Sequence, residues 1–145
     1  MIPLTDPRQE TRLPVNRTLL PDGWVRPKGY ANGIAARGEL VFTAGIIGWD
    51  AEQRFVADDL PGQFRQVLLN TLAVLAEAGA RPEHIVRMTW YVTSRDAYVD
   101  SLSAIGAVYR ELVGRHYPAM AVIEVTALVE PQALVEIETI AVIPD

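Results

Sequence analysis

Residues 119–143 read AMAVIEVTALVEPQALVEIETIAVI, two apolar stretches separated by the turn-forming Val129-Glu130-Pro131-Gln132. Alternate residues of a strand point to opposite faces, so each stretch divides into two sets. In residues 119–128 the set Ala119, Ala121, Ile123, Val125 and Ala127 is wholly apolar, and Met120, Val122, Glu124, Thr126 and Leu128 oppose it. In residues 133–143 the apolar set is Val135, Ile137, Ala141 and Ile143, with Leu134, Glu136, Glu138, Ile140 and Val142 opposite. The apolar sets are expected beneath helices. The mixed sets, which bring Met120 and Val122 together with Glu136 and Glu138, are expected to face a second subunit, and a partly buried carboxylate there marks a candidate site.

Upstream the same reading supplies the helices. Leu60, Phe64, Val67, Leu68, Leu72 and Leu75 recur at helical spacing over 60–78, and Gly79 follows as a C-terminal cap. Tyr98, Leu102, Ile105, Tyr109 and Leu112 mark a second helix that ends at Gly114. Between them, 85–93 alternates as a strand, and 39–47 reads as a buried strand, turning at Gly48-Trp49-Asp50 into a short return strand over 52–56. Five prolines among the first thirty residues suggest an irregular lead-in over 1–14, with at most one short strand near 15–20. The order β-β-α-β-α-β-β is that of a single α+β domain, 1–145, with a mixed β-sheet and two helices on one face. A sheet this hydrophobic cannot leave its other face bare.

Composition removes several chemistries. The 145 residues include no Cys, which excludes disulfides, thiolate zinc sites, iron–sulfur clusters and a cysteine nucleophile. With 13 basic against 18 acidic residues the net charge is −5, so the field that a nucleic-acid backbone demands is missing. No apolar run reaches the roughly 20 residues needed to span a bilayer, and the start lacks an apolar core of signal-peptide type, so a cytoplasmic protein with no membrane partner is expected. His84 and His116 read as polar loop residues, and no metal or other cofactor is called for. Lys28, the single lysine, reads as a solvated loop residue.

Several short pieces, in their order and spacing, carry a resemblance. Tyr30-Ala31, the strand Leu40-Val41-Phe42-Thr43-Ala44-Gly45, Ala78-Gly79-Ala80, Tyr91-Val92, Tyr109, Pro118-Ala119 and Val135-Glu136-Ile137-Glu138 together resemble the Rid family, also called the YjgF or reactive intermediate deaminase family. The resemblance spans roughly 15–143 and implies a chorismate-mutase-like fold, assembled as a homotrimer whose sheets form a central β-barrel. It also implies hydrolysis of enamines and imines in clefts between subunits.

The match is one-sided. Tyr30, Gly45, Pro118 and Glu136 agree with the family's pattern, and the resemblance assigns Glu136 and Tyr30 to catalysis, with Ala44, Gly45, Ile46, Gly106, Pro118 and Met120 lining the substrate. Met120, however, stands where the family has a carboxylate-gripping arginine, Ala44 and Ile46 stand for a serine and a glutamine, and Gly106 stands for an asparagine. Such a site gains apolar area and loses the groups that orient a small anion. An imine or enamine deaminase for a substrate other than small iminoacids is therefore expected. The alternatives are a non-catalytic metabolite-binding or chaperone-like trimer and, less favoured, a ribonuclease-like activity. Glu138 shares the facing of Glu136 and competes with it.

Overall fold

A computed structural model describes residues 16–145, so the lead-in expected over 1–14 lies outside the described residues. The strands are β1 (Asn16–Thr18), β2 (Ile34–Ala36), β3 (Glu39–Phe42), β4 (Ile46–Ile47), β5 (Ile85–Val92), β6 (Ala119–Glu124) and β7 (Val135–Ile143). The helices are α1 (Leu60–Glu77), α2 (Arg95–Asp100) and α3 (Leu102–Leu112). β1 and β2 form a two-stranded ribbon, and the main sheet runs β3-β7-β5-β6, with β4 also on β7. Only the β5–β6 pair is parallel, so the sheet is mixed, as expected. Among the described residues no helix is long and apolar enough to cross a membrane.

Local chemistry accounts for the helices. Asp59 caps α1 by accepting from the Gly62 N–H at 3.1 Å, and Pro61 sits in the first turn, where its missing donor costs nothing. At the other end Gly79, at φ +79°, donates to Ala76 while Ala80 donates to Leu75, so the left-handed glycine closes the helix as its spacing predicts. The second helical stretch is two helices rather than one. Ser94 caps α2 through its hydroxyl, and the run breaks at Ser101, whose backbone leaves the helical region at φ −100° and ψ 4°.

The stretch 39–47 is likewise two strands. Thr43, Ala44 and Gly45 stand opposite Glu138 and Thr139 on β7, a β-bulge in which the Thr43 hydroxyl accepts from the Thr139 N–H at 3.0 Å. The return strand expected over 52–56 does not form. Asp50 takes the N–H groups of Glu52 and Arg54 on one carboxylate oxygen, leaving a single bridge between Trp49 and Phe55. These bonds hold the Asp50 carboxyl below its ordinary range, the Arg54 N–H contributing most.

One face of the sheet is dry. Val135, Ile137 and Ala141 of β7 lie with Met88 and Trp90 of β5 against Phe64, Val67, Leu68 and Leu75 of α1, as the parity of β7 predicts. The parity assigned to β6 is overturned. In the parallel register Met88 pairs with Met120 and Trp90 with Val122, so Met120 and Val122 belong to the helix side, while Ala119, Ala121 and Ile123 share the other face with Arg87, Thr89 and Tyr91. Glu136 and Glu138 pair with Tyr91 and Thr89 on that open face. Met120 and Glu136 of one chain therefore point to opposite sides of the sheet. The open face also carries Phe42, 64% exposed, and Ile123, 43% exposed, with no helix over them.

Candidate active site

The first concavity opens between α3 and β6 and has a volume of 540 Å³. Its floor is Trp90, Met120 and Val122, its roof is Leu102, Ile105, Gly106 and Tyr109, and Tyr30 stands at its edge. Tyr30 is held by its neighbour, since Ala31 donates its N–H to the Pro118 carbonyl at 2.9 Å and bridges Ala119. Pro118 is buried and positions this segment; it does not line the cavity. Tyr109 donates its hydroxyl to the His116 carbonyl at 2.5 Å and stacks on Tyr117. Burial pushes its phenol well above the ordinary range, so it stays neutral and structural.

Gly106 matters for what lies above it. A Cβ at that position would stand 3.2 Å from Nη1 of Arg110 and 3.9 Å from its Cζ, so the guanidinium folds back over the bare helix surface that Gly106 leaves. Arg110 and Lys28 thereby join the lining of this cavity.

The second concavity, 550 Å³, gathers Gly45, Ile46 and Glu136 with Trp49, Asp50, Asn70 and Glu130. Here the carboxylate of Glu136 lies against the backbone of the bulge: a Cβ on Gly45 would fall 2.8 Å from its Cδ and 3.1 Å from its Oε2. Only a glycine permits that approach. Asn70 of α1 secures the loop beyond β4, donating to the carbonyls of Ile47 at 3.2 Å and Trp49 at 2.7 Å, and it accepts in turn from Gln66. Ala44 is exposed and lines neither cavity.

Glu138 is engaged elsewhere. Its carboxylate accepts from the Tyr91 hydroxyl at 2.9 Å across the open face, and this bond, more than any other cause, raises the Tyr91 phenol above its ordinary range. Glu136 carries no such side-chain bond among the described residues. His84 is buried, contrary to the loop reading, with Nδ1 accepting from the Arg81 N–H at 2.9 Å inside a 3-10 turn; His116 bonds the Ile85 carbonyl. Among the described residues no three His, Asp or Glu side chains gather as a metal site.

The residues singled out in the sequence thus fall into two groups. Tyr30, Gly106 and Met120 share the first cavity, and Gly45, Ile46 and Glu136 share the second. Sequence reasoning missed Arg110 and Asn70 as site residues. The signal for Arg110 was its place one helical turn beyond Gly106, on the same face.

A family model described as Endoribonuclease L-PSP matches residues 25–143. The chain belongs to the Rid family. The 2-iminobutanoate/2-iminopropanoate deaminase of Salmonella typhimurium is 32% identical over 116 residues, covering 78% of this chain and 86% of that one. A RutC family protein of Pyrococcus abyssi is 33% identical over 117 residues, covering 80% and 88%. Among solved structures the Rid-family protein YyfB of Yersinia pestis, whose function is unknown, superposes with a TM-score of 0.78 at 31% identity, covering 89% of this chain and 99% of that one. Family membership and the α+β fold expected from the sequence are thereby established.

Proposed function

We propose that this Rid protein is an imine or enamine hydrolase acting on a substrate other than small iminoacids, in a cleft built by two neighbouring copies of a homotrimer. The carrying observation is the placement of the two residue groups. Tyr30 and Met120 line one concavity, Glu136 and Gly45 line another, and Met120 and Glu136 face opposite sides of one sheet. One site holding both groups needs a second chain. The exposed Phe42 and Ile123 on the open face supply apolar area for such a contact, with closure of the sheets into a central barrel as the arrangement that covers them.

The chemistry asks little of the protein. Glu136 accepts a proton from a water as its oxygen attacks the C=N carbon, giving a tetrahedral carbinolamine. Glu136 returns this proton to the nitrogen and then carries the carbinolamine hydroxyl proton to the departing nitrogen as the C–N bond breaks, so a carbonyl product and ammonia leave. Tyr30, at the edge of the facing half, orients the substrate from the other side. The deaminase named among the relatives supports this reaction class. Met120 and Ile46, apolar residues that line the two concavities, support a change of substrate.

The loss of those polar groups also favours a second reading, a trimer that binds a metabolite without turning it over. The family model's endoribonuclease description fits less well, because the chain carries a net charge of −5 and its open face presents Glu136 and Glu138. Ammonia release from imines generated in place by an amino-acid oxidase separates the readings. The hydrolase reading expects release above the spontaneous rate with bulky or aromatic substrates, falling about a hundredfold or more in Glu136→Gln. Release at the spontaneous rate across the whole panel leaves the binding reading.

A further inference from the structure

We propose that Arg110 is the anion-binding group of this site, and that its ligand is an organic carboxylate whose aromatic or similarly bulky apolar tail enters the cavity beneath α3. The proposal deepens the functional reading above and rests on it in one respect: that the cavity edged by Tyr30 is half of the site.

Three observations converge. Arg110 is exposed at the cavity mouth, and its guanidinium turns back over Gly106, with Nη1 3.2 Å from where a Cβ would stand, lining the cavity beside Lys28. Among the described residues neither Arg110 nor Lys28 pairs with a carboxylate, a state Arg110 shares with Arg17, Arg26, Arg37, Arg87, Arg95 and Arg115, so its concave setting is what distinguishes it. An unpaired guanidinium folded against a concave surface is placed to take a planar anion on two N–H groups.

The second observation is independent of charge. Trp90, 4% exposed, lines the same cavity, and its indole Nε1 is buried without a hydrogen-bond partner. A buried donor left unmade costs stability in the empty protein, and an acceptor on a bound molecule recovers it. The third is the lining itself. Trp90 stands edge-on to Tyr98 at 6.5 Å, and Leu102, Ile105, Met120 and Val122 complete an apolar chamber of 540 Å³, which suits a ring rather than the methyl or ethyl tail of a small iminoacid. Met120 and Gly106 then have one joint explanation. Met120 keeps the floor of the chamber apolar, and the bare position 106 lets a cation from α3 lie at its mouth.

The test is calorimetric binding to the full chain at low salt with three unreactive probes: 3-phenylpropanoate, its neutral amide 3-phenylpropanamide, and propanoate. The acid should bind at least tenfold tighter than the amide, and propanoate should bind at least tenfold more weakly than 3-phenylpropanoate. Arg110→Gln should erase the preference for acid over amide while leaving amide affinity and melting temperature unchanged, and Arg110→Lys should retain part of it. Equal binding of acid and amide by the unmodified protein overturns the proposal, as does a preference that survives Arg110→Gln. Because the probes are not turned over, the result stands apart from the hydrolase reading. Binding through Arg110 without ammonia release sinks only that reading, whereas ammonia release with a KM indifferent to Arg110→Gln sinks only this one.

Discussion

Gly45 and Glu136 depend on each other, because the carboxylate occupies the space where any other residue would place its Cβ. The backbone at Gly45 is not left-handed, so alanine is tolerated conformationally and acts only by displacing the carboxylate. Gly45→Ala should therefore keep its melting temperature within a few degrees while kcat falls about a hundredfold, the usual cost of a misplacement near 1 Å. Retention of full turnover would show that the position of Glu136 is not critical. Met120→Arg, by contrast, should not restore turnover of small iminoacids. The new guanidinium would enter an apolar chamber beside Arg110 and Lys28, with Glu136 of its own chain on the far side of the sheet, so within the chain it meets like charge, and across the proposed cleft it would pair with the carboxylate that has to serve as the base. Recovery of iminopropanoate hydrolysis in that single variant would show that the cation on β6 was all that had been lost. Glu136 and Gly45 were legible as candidates from the sequence, whereas Arg110 was not: its role depends on a side chain folding back over a neighbouring turn.

At the scale of elements, α1 does most to position the second cavity, since Asn70 ties the loop after β4 and Gln63 reaches across to the turn before β7. Gln63 donates to the carbonyls of Ala57 and Gln132 and accepts from the Leu134 N–H, so a buried polar side chain is fully used. The N-terminus of this helix rests on the Asp59 cap. Asp59→Ala should lower stability by about 1 kcal/mol, read as a shift in the urea midpoint with an unchanged slope. A shift indistinguishable from zero would mean water satisfies the freed Gly62 N–H equally well. The extent of α1 was readable because its apolar stripe, its cap and Gly79 all agree. The extent of the stretch 39–47 was not, because its apolar residues continue through a bulge in which the Thr43 hydroxyl takes the Thr139 N–H of the facing strand and Gly45 makes room for Glu136.

For the whole molecule, the expected state is a homotrimer, near 48 kDa by light scattering from a 16.0 kDa chain. Mixing two inactive variants, Glu136→Gln and Tyr30→Ala, by denaturing and refolding them together should restore part of the activity, because some clefts then receive an intact half from each chain. A monomer at micromolar concentration, or failure of the mixture to recover any activity, would place the site within one chain. By itself the sequence determined the long helix α1, the strands β5, β6 and β7, the α+β class, the dry side of β7 and the family, since each is written in local periodicity or in residues at set spacing. Only the tertiary structure decided which side of β6 is dry. Both parities of that edge strand carry apolar residues, Met120 and Val122 on one side and Ala119, Ala121 and Ile123 on the other, so its facing is set by the register against β5, where Trp90 draws Val122 and Met120 to the helix side. That single register separates Met120 from Glu136 and brings Met120 under Arg110, through pairings between distant segments that local sequence pattern does not encode.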